Sequence, residues 1–123
     1  MKIYLAAQYS SMLEMREWRD LLQSHGHYCT SSWLTGEHND PKRNAEYAIL
    51  DLTDIDASSV VISKLLPPRT MSLSRGGRHV EFGYAIAKGK RLICIGNEPE
   101  NVFHNLPQVE LYPHLTAAIQ AFG

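Results

Sequence analysis

Arg75-Gly76-Gly77-Arg78-His79-Val80-Glu81-Phe82-Gly83-Tyr84-Ala85-Ile86-Ala87-Lys88-Gly89 reads as a glycine turn that opens a helix and a glycine that closes it. Gly76 and Gly77 permit backbone angles that a side chain forbids, and they let another molecule approach the main chain. From Arg78 onward the residues suit a helix, and Gly89 supplies the stop. Glu81 then falls in or near the first turn, where free N–H groups and the positive helix end favour an ionised carboxylate. A carboxylate held charged at the mouth of a glycine turn is a candidate nucleophile and a poor general acid at neutral pH. The same placement is served by an acid that only complements the helix dipole, and the local pattern alone favours that plainer reading.

Outward from this stretch, apolar runs alternate with helical patterns. Lys2 to Ala7 is a run of the kind that fills a central parallel strand. Gln8 to Ser11 is a polar loop in which Ser10 or Ser11 can cap the next helix, with Glu14 at capping-box distance from Ser11. Met12 to His25 has apolar residues at Met15, Trp18, Leu21 and Leu22, a helical spacing, and Gly26 ends it. His27 to Thr30 is a short second strand. Ser31 to Arg43 is polar and irregular, and a loop of that length in so small a domain is more often functional than idle. Asn44 to Ile55 reads as a helix with Ala45, Ala48, Ile49 and Leu52 on one side. Ala57 to Ser63 is a buried strand, and Lys64 to Ser74 a loop whose Pro67-Pro68 excludes helix. Arg91 to Gly96 is a fourth strand, Asn97 to Pro107 a loop, Val109 to Tyr112 an edge strand and His114 to Phe122 a closing helix.

That alternation means one domain over residues 1–123: an α/β, doubly wound parallel sheet with helices on both faces, a three-layer arrangement of the flavodoxin or Rossmann type. In such sheets ligands bind beyond the carboxyl ends of the strands, where the strand order switches. The loops after the first four strands are expected to line that crevice. They carry Tyr9 and Ser10, then Trp33 and His38, then Arg69 to Gly77, then Asn97 to Asn105.

Composition narrows the class. Hydrophobic residues are 44% and charged residues 20% of 123, ordinary for a soluble domain with one core. A formal net charge of -1 provides no field to draw in a nucleic acid polymer or a membrane, and no stretch is long and apolar enough to cross a bilayer. Cys29 and Cys94 sit in strand-like runs and are expected to be buried and reduced, as in a cytoplasmic protein. From Met1 the chain enters a strand, with no signal peptide visible. Six histidines are present, but no His-x-x-x-His or Cys-x-x-Cys spacing occurs, so neither a metal nor another cofactor is expected. His79 reads as structural.

Several residues invite a binding role. Arg75 and Arg78 flank the glycine turn at Gly76 and Gly77, with Arg69 just upstream. Guanidinium groups, backbone N–H groups and a helix N-terminus together make a phosphate cradle, to which Ser10, Ser11 and Ser74 can add donors. A solvated basic rim is the equal alternative. Trp33 and Tyr9 can stack on a base, or serve only as packing.

Lys2-Ile3-Tyr4-Leu5-Ala6, Asp51-Leu52 ahead of the third strand, Gly76 to Ala85 with Gly89-Lys90, and Glu100-Asn101-Val102-Phe103-His104 occur in that order. Together they resemble the nucleoside 2-deoxyribosyltransferase family, which includes 2'-deoxynucleoside 5'-monophosphate N-glycosidases and CMP N-glycosidases. The resemblance spans nearly the whole chain and is most specific at Val80-Glu81-Phe82-Gly83. It implies Glu81 as nucleophile, Asp51 as a substrate-contacting acid, and Tyr4 beside the sugar. Several members have an aspartate or serine six residues before the nucleophile; here Arg75 stands there. The resemblance implies cleavage of an N-glycosidic bond in a 2'-deoxynucleoside or its 5'-monophosphate, with transfer to an acceptor base or to water, and a homodimer or higher homo-oligomer. The competing expectation is a non-catalytic nucleotide-binding or sensor module of the same fold.

Overall fold

A computed structural model of the chain describes residues 1–67, 70–72 and 74–122. Five parallel strands form one sheet: β1 (Lys2–Ala6), β2 (Tyr28–Cys29), β3 (Val60–Lys64), β4 (Arg91–Ile95) and β5 (Val109–Tyr112), in the order β2-β1-β3-β4-β5. Four helices connect them: α1 (Met12–Ser24), α2 (Asn44–Asp56), α3 (Gly77–Ala87) and α4 (Leu115–Phe122). The expected doubly wound, three-layer architecture is therefore the one observed. The order reverses between β1 and β3, and a crevice opens at that switch point.

The central strands are apolar for the reason the sequence implied, since both of their faces are covered. Ile3, Tyr4, Leu5 and Ala6 are fully buried, as are Val61, Ile62, Ile93 and Cys94. The register sets Tyr4 beside Val61 and Ala6 beside Ser63, so these side chains project from the same face. α2 and α3 pack side by side. Phe122 of α4 meets the His27 ring edge-on, 5.2 Å between centroids, and lies under the Arg91 guanidinium.

Gly76 is the N-cap of α3 with φ +86°, and Gly89 follows the helix with φ +68°. A Cβ on Gly76 would meet nothing within 4 Å, so the backbone angle and not space calls for glycine there.

Four local expectations are corrected. Ser11 precedes α1 but its side chain caps nothing; its hydroxyl is buried and accepts from the Lys64 ammonium at 3.4 Å. Glu14 also turns to Lys64 instead of closing a capping box. β2 is only two residues long and sits at the sheet edge, which leaves Cys29 half-buried while Cys94 is fully buried; both are free thiols, and burial pushes the Cys94 thiol up to about 12. The loop between β2 and α2 contains two 3-10 turns, Ser32–Thr35 and Pro41–Arg43. Finally, α2 does not bury the expected apolar side. Tyr47 and Ile55 are buried, Leu52 is half-buried, and Ala45, Ala48 and Ile49 are exposed. Among the described residues, no helix is long and apolar enough to cross a membrane.

Candidate active site

A cavity of about 460 Å³ lies just beyond the carboxyl end of β1, among the loops that follow β1, β2 and β3. The loop after β1 contributes Gln8 and Tyr9, the loop after β2 contributes Trp33 and His38, and Ser74 and Gly77 come from the loop that leads into α3. The remaining wall is helical. α2 presents Asn44, Tyr47, Ala48, Asp51 and Leu52, while α3 presents Arg78, Val80 and Glu81.

Two aromatic pairs border the space. The Tyr9 and Trp33 rings are tilted, 6.1 Å apart. Trp33 is held firmly: its Nε1–H donates to the Leu5 carbonyl at 2.9 Å, and the Ser32 N–H and Oγ–H donate to Asp54 Oδ2 at 2.9 and 2.6 Å. Across the cavity His38 lies flat on Tyr47, with ring centroids 4.5 Å apart and planes within 8°. The Tyr47 hydroxyl accepts from the Asp40 N–H at 3.1 Å and donates to the Glu37 carbonyl at 3.4 Å, tying this loop to α2.

Asp51 and Glu81 both line the cavity, with Asp54 nearby and Tyr4 beneath. Tyr4 is fully buried behind the cavity rather than in its lining, and its O–H donates to Glu81 Oε2. Burial pushes the Glu81 carboxyl up to about 8; the Tyr4 hydrogen bond opposes the shift, and the charges of Asp51 and Asp54 add to it. Asp51 is pushed up to about 6, first by burial and then by Asp54. Its Oδ1 is buried without a hydrogen-bond partner and stands 3.9 Å from His38 Nδ1. Burial, then the charges of Glu81 and Asp51, also raise the Tyr4 phenol well above its ordinary value.

This geometry corrects the expectation of a charged Glu81. The first turn of α3 contains no acid. Glu81 lies four residues beyond Gly77, in the second turn, and packs inward where it gains more from losing its charge than from the distant helix end. Burial thus pushes Glu81 toward its protonated form.

The basic cluster separates into parts with different surroundings. Arg78 is buried, and its Nη1 and Nη2 each donate to a Glu100 carboxylate oxygen at 2.7 Å. Burial alone would raise Glu100, but the bonds from Arg78 and from the Leu66 N–H hold it below the usual range. Arg78 is thus a committed structural cation, not an open anion ligand, although its surface borders the cavity. His79 joins the same group, with Nε2 3.4 Å from Glu100. The loop after β4 is drawn into this cluster and away from the main cavity. Its Glu98, Pro99 and Glu100 border a separate hollow beyond Arg78.

Arg75 and Ser10 are exposed and lie outside the main cavity. They border an adjoining hollow of about 440 Å³ with Met71 and Ser72. Gln8, Tyr9 and Ser74 border both spaces, so the hollow continues from the cavity mouth. Gly76 shapes the entry of α3 without lining the cavity. Arg69 lies outside the described residues. No cluster of three or more metal-ligating side chains occurs among the described residues.

Asn44 and Tyr47 were not singled out from the sequence. Their signal was present as the stripe Asn44, Tyr47, Ala48, Asp51 and Leu52, spaced i, i+3, i+4, i+7 and i+8 on one helix face. The competing apolar stripe through Ala45 and Ile49 obscured it.

The solved structure of a Clostridium botulinum CMP N-glycosidase, BcmB, matches this fold with a TM-score of 0.63 at 21% sequence identity, covering 99% of this chain and 98% of that one. At that identity the likeness is one of fold. No family model and no curated protein sequence matches the chain.

Proposed function

We propose that the chain is an enzyme of the nucleoside 2-deoxyribosyltransferase type, cleaving the N-glycosidic bond of a 2'-deoxynucleoside or its 5'-monophosphate. The observation that carries this reading is the Tyr4–Glu81 hydrogen bond in a cavity that also presents Asp51, at the switch point of the sheet. The glycosidase likeness of the fold supports it. Ionised Glu81 attacks the anomeric carbon, the carbon–nitrogen bond breaks, and the departing base takes a proton from Asp51. The transition state resembles an oxocarbenium ion, which a buried carboxylate stabilises strongly. Water or an acceptor base, deprotonated by Asp51, then displaces the sugar from Glu81. A panel of nucleosides and monophosphates, incubated with and without an acceptor base, tests this by its products. Intact substrates throughout would overturn it.

The cycle needs the two carboxyls to share one proton placed on Asp51; burial favours that proton on Glu81, so the reactive form is the minor one of the singly protonated pair, in which the proton has passed from Glu81 to Asp51. Below about pH 6 both are protonated and no nucleophile exists; above about pH 8 the last proton leaves and the base departs unassisted. The expected profile of kcat/KM is a bell with its maximum between these values. A flat profile from pH 5 to 9 would contradict this pairing.

The hollow beside the cavity mouth supports a preference for monophosphates. A 5'-phosphate extending from the cavity past Ser74 meets the Arg75 guanidinium and the Ser10 hydroxyl, while the Ser72 hydroxyl is already donated to Gln8 Oε1. A charge-assisted bond contributes about 1.5–3 kcal/mol, roughly a tenfold to hundredfold preference. Arg75→Ala is expected to remove most of that preference while sparing free nucleosides, measured as the ratio of specificity constants. Equal constants in the unsubstituted protein would refute it.

The protein is further read as a cytoplasmic homodimer or higher oligomer. Ala45, Ala48 and Ile49 of α2 and Val80 of α3 are exposed, and Ala48 and Val80 reach the cavity mouth. A second copy covering them removes apolar surface from water and closes the cavity at once. Sedimentation at working concentration is expected to find no monomer; a purely monomeric species counts against it. The alternative reading is a nucleotide-binding or sensor module of the same fold without turnover. Ligand-dependent stabilisation with no base release would identify it.

A further inference from the structure

Asp51 presents an unusual arrangement for a general acid. It lines the cavity, yet Oδ1 is buried and lacks a hydrogen-bond partner. The nearest counterpart is His38 Nδ1 at 3.9 Å. That ring is not a loose surface group: its side chain is only 10% exposed and lies flat on Tyr47. Tyr47 in turn is bonded to the backbone on both sides of His38, at Glu37 and Asp40. The loop that carries His38 is therefore clipped to the helix that carries Asp51, and a shift of about 1 Å brings Nδ1 to hydrogen-bond distance. Contacts of catalytic groups are commonly long in an empty site and tighten when substrate fills it.

We propose that His38 is the positioning residue for Asp51, its Nδ1–H engaging Oδ1 so that Oδ2 carries the proton toward the leaving base. The inference rests on the N-glycosidase reading above. As the carbon–nitrogen bond breaks, its electron pair goes to the base, and the base nitrogen takes the proton from Oδ2. Asp51 is left as a carboxylate whose charge the His38 Nδ1–H stabilises. The bond strengthens as charge develops on Asp51, so it lowers the barrier more than it aids substrate binding. A histidine whose only task is packing on Tyr47 has no such dependence on the leaving group.

His38→Phe retains a ring against Tyr47 and removes Nδ1, while His38→Asn returns an amide near the place of Nδ1. Each is assayed with a nucleoside, whose base needs a proton, and with the p-nitrophenyl glycoside of the same sugar, whose phenolate departs without one. His38→Phe is expected to lower kcat on the nucleoside by about 10²-fold with KM little changed, and His38→Asn to regain most of the loss. Turnover of the p-nitrophenyl donor should stay within about threefold, which also reports that the variant is folded. Equal losses on both donors, or no loss on either, would overturn the role of His38 and leave the N-glycosidase reading intact. An unsubstituted protein that releases no base from any nucleoside would instead overturn that underlying reading.

Discussion

Glu81→Gln is expected to lower base release by about 10⁴-fold or more and, at the same time, to raise the melting temperature above pH 8. The first effect follows from removing the group that forms the covalent bond to the sugar. The second follows from burial. Glu81 is pushed from an ordinary value of 4.5 to about 8 in the folded protein. Between those values the folded chain holds a proton that the unfolded chain has released. Folding therefore takes up a proton, and stability that is fully present below about pH 4.5 is lost as pH rises toward 8. A shift of that size corresponds to about 3–5 kcal/mol at high pH. Gln keeps the oxygen that accepts from the Tyr4 hydroxyl and never ionises, so it escapes the loss. Melting curves from pH 5 to 9 with turnover at each pH check both parts. An inactive variant that also melts lower at pH 8.5 would point to misfolding instead of a lost nucleophile. A variant with normal turnover would remove Glu81 from the mechanism.

Arg78→Met is expected to destabilise the fold by about 3–5 kcal/mol, a fall in Tm on the order of 10–20 °C. Arg78 is 5% exposed and binds Glu100 through two bonds of 2.7 Å. Losing the guanidinium strands a carboxylate that is itself only 18% exposed and that also accepts from the Leu66 N–H. The loops after β3 and β4 and the first turn of α3 share this cluster, so the damage spreads to the wall of the cavity. An accompanying Glu100→Leu is expected to recover part of the loss, because a buried pair replaced as a unit costs far less than one broken. Thermal melts of the single and double variants decide the matter. A single variant that melts within two or three degrees of the parent, yet loses turnover of monophosphates alone, would return Arg78 to the role of phosphate ligand.

The two arginines on either side of the glycine turn illustrate what residue type leaves open. Arg75 and Arg78 are equally basic and three residues apart, yet one is exposed beside a hollow and the other is buried in an ion pair. The difference lies in Glu100, 22 residues beyond Arg78, which the parallel crossover from α3 to β4 brings back across the sheet. No local pattern around the glycine turn contains that carboxylate.

The strand positions, their parallel orientation and the glycine-bounded helix were determined by local sequence. Unbroken apolar runs require cover on both faces, and alternation with helical spacing leaves a doubly wound sheet as the economical way to provide it. The same topology implied a crevice beyond the carboxyl ends of the strands, and with it the gathering of Tyr9 from the loop after β1 and of Trp33 and His38 from the loop after β2. Tertiary structure alone decided the electrostatics. Whether Glu81 is charged depends on the surface it loses to α2, on the Tyr4 hydroxyl 77 residues away and on Asp51 and Asp54, not on its distance from a helix end. Likewise, the side of α2 that faces the cavity was chosen by its neighbours. The helix carries both an alanine and isoleucine stripe and a stripe of Asn44, Tyr47 and Asp51, and a helical period cannot rank two stripes that both fit it. Desolvation and packing act between residues that are distant in sequence, so they become defined only when the chain has closed around them.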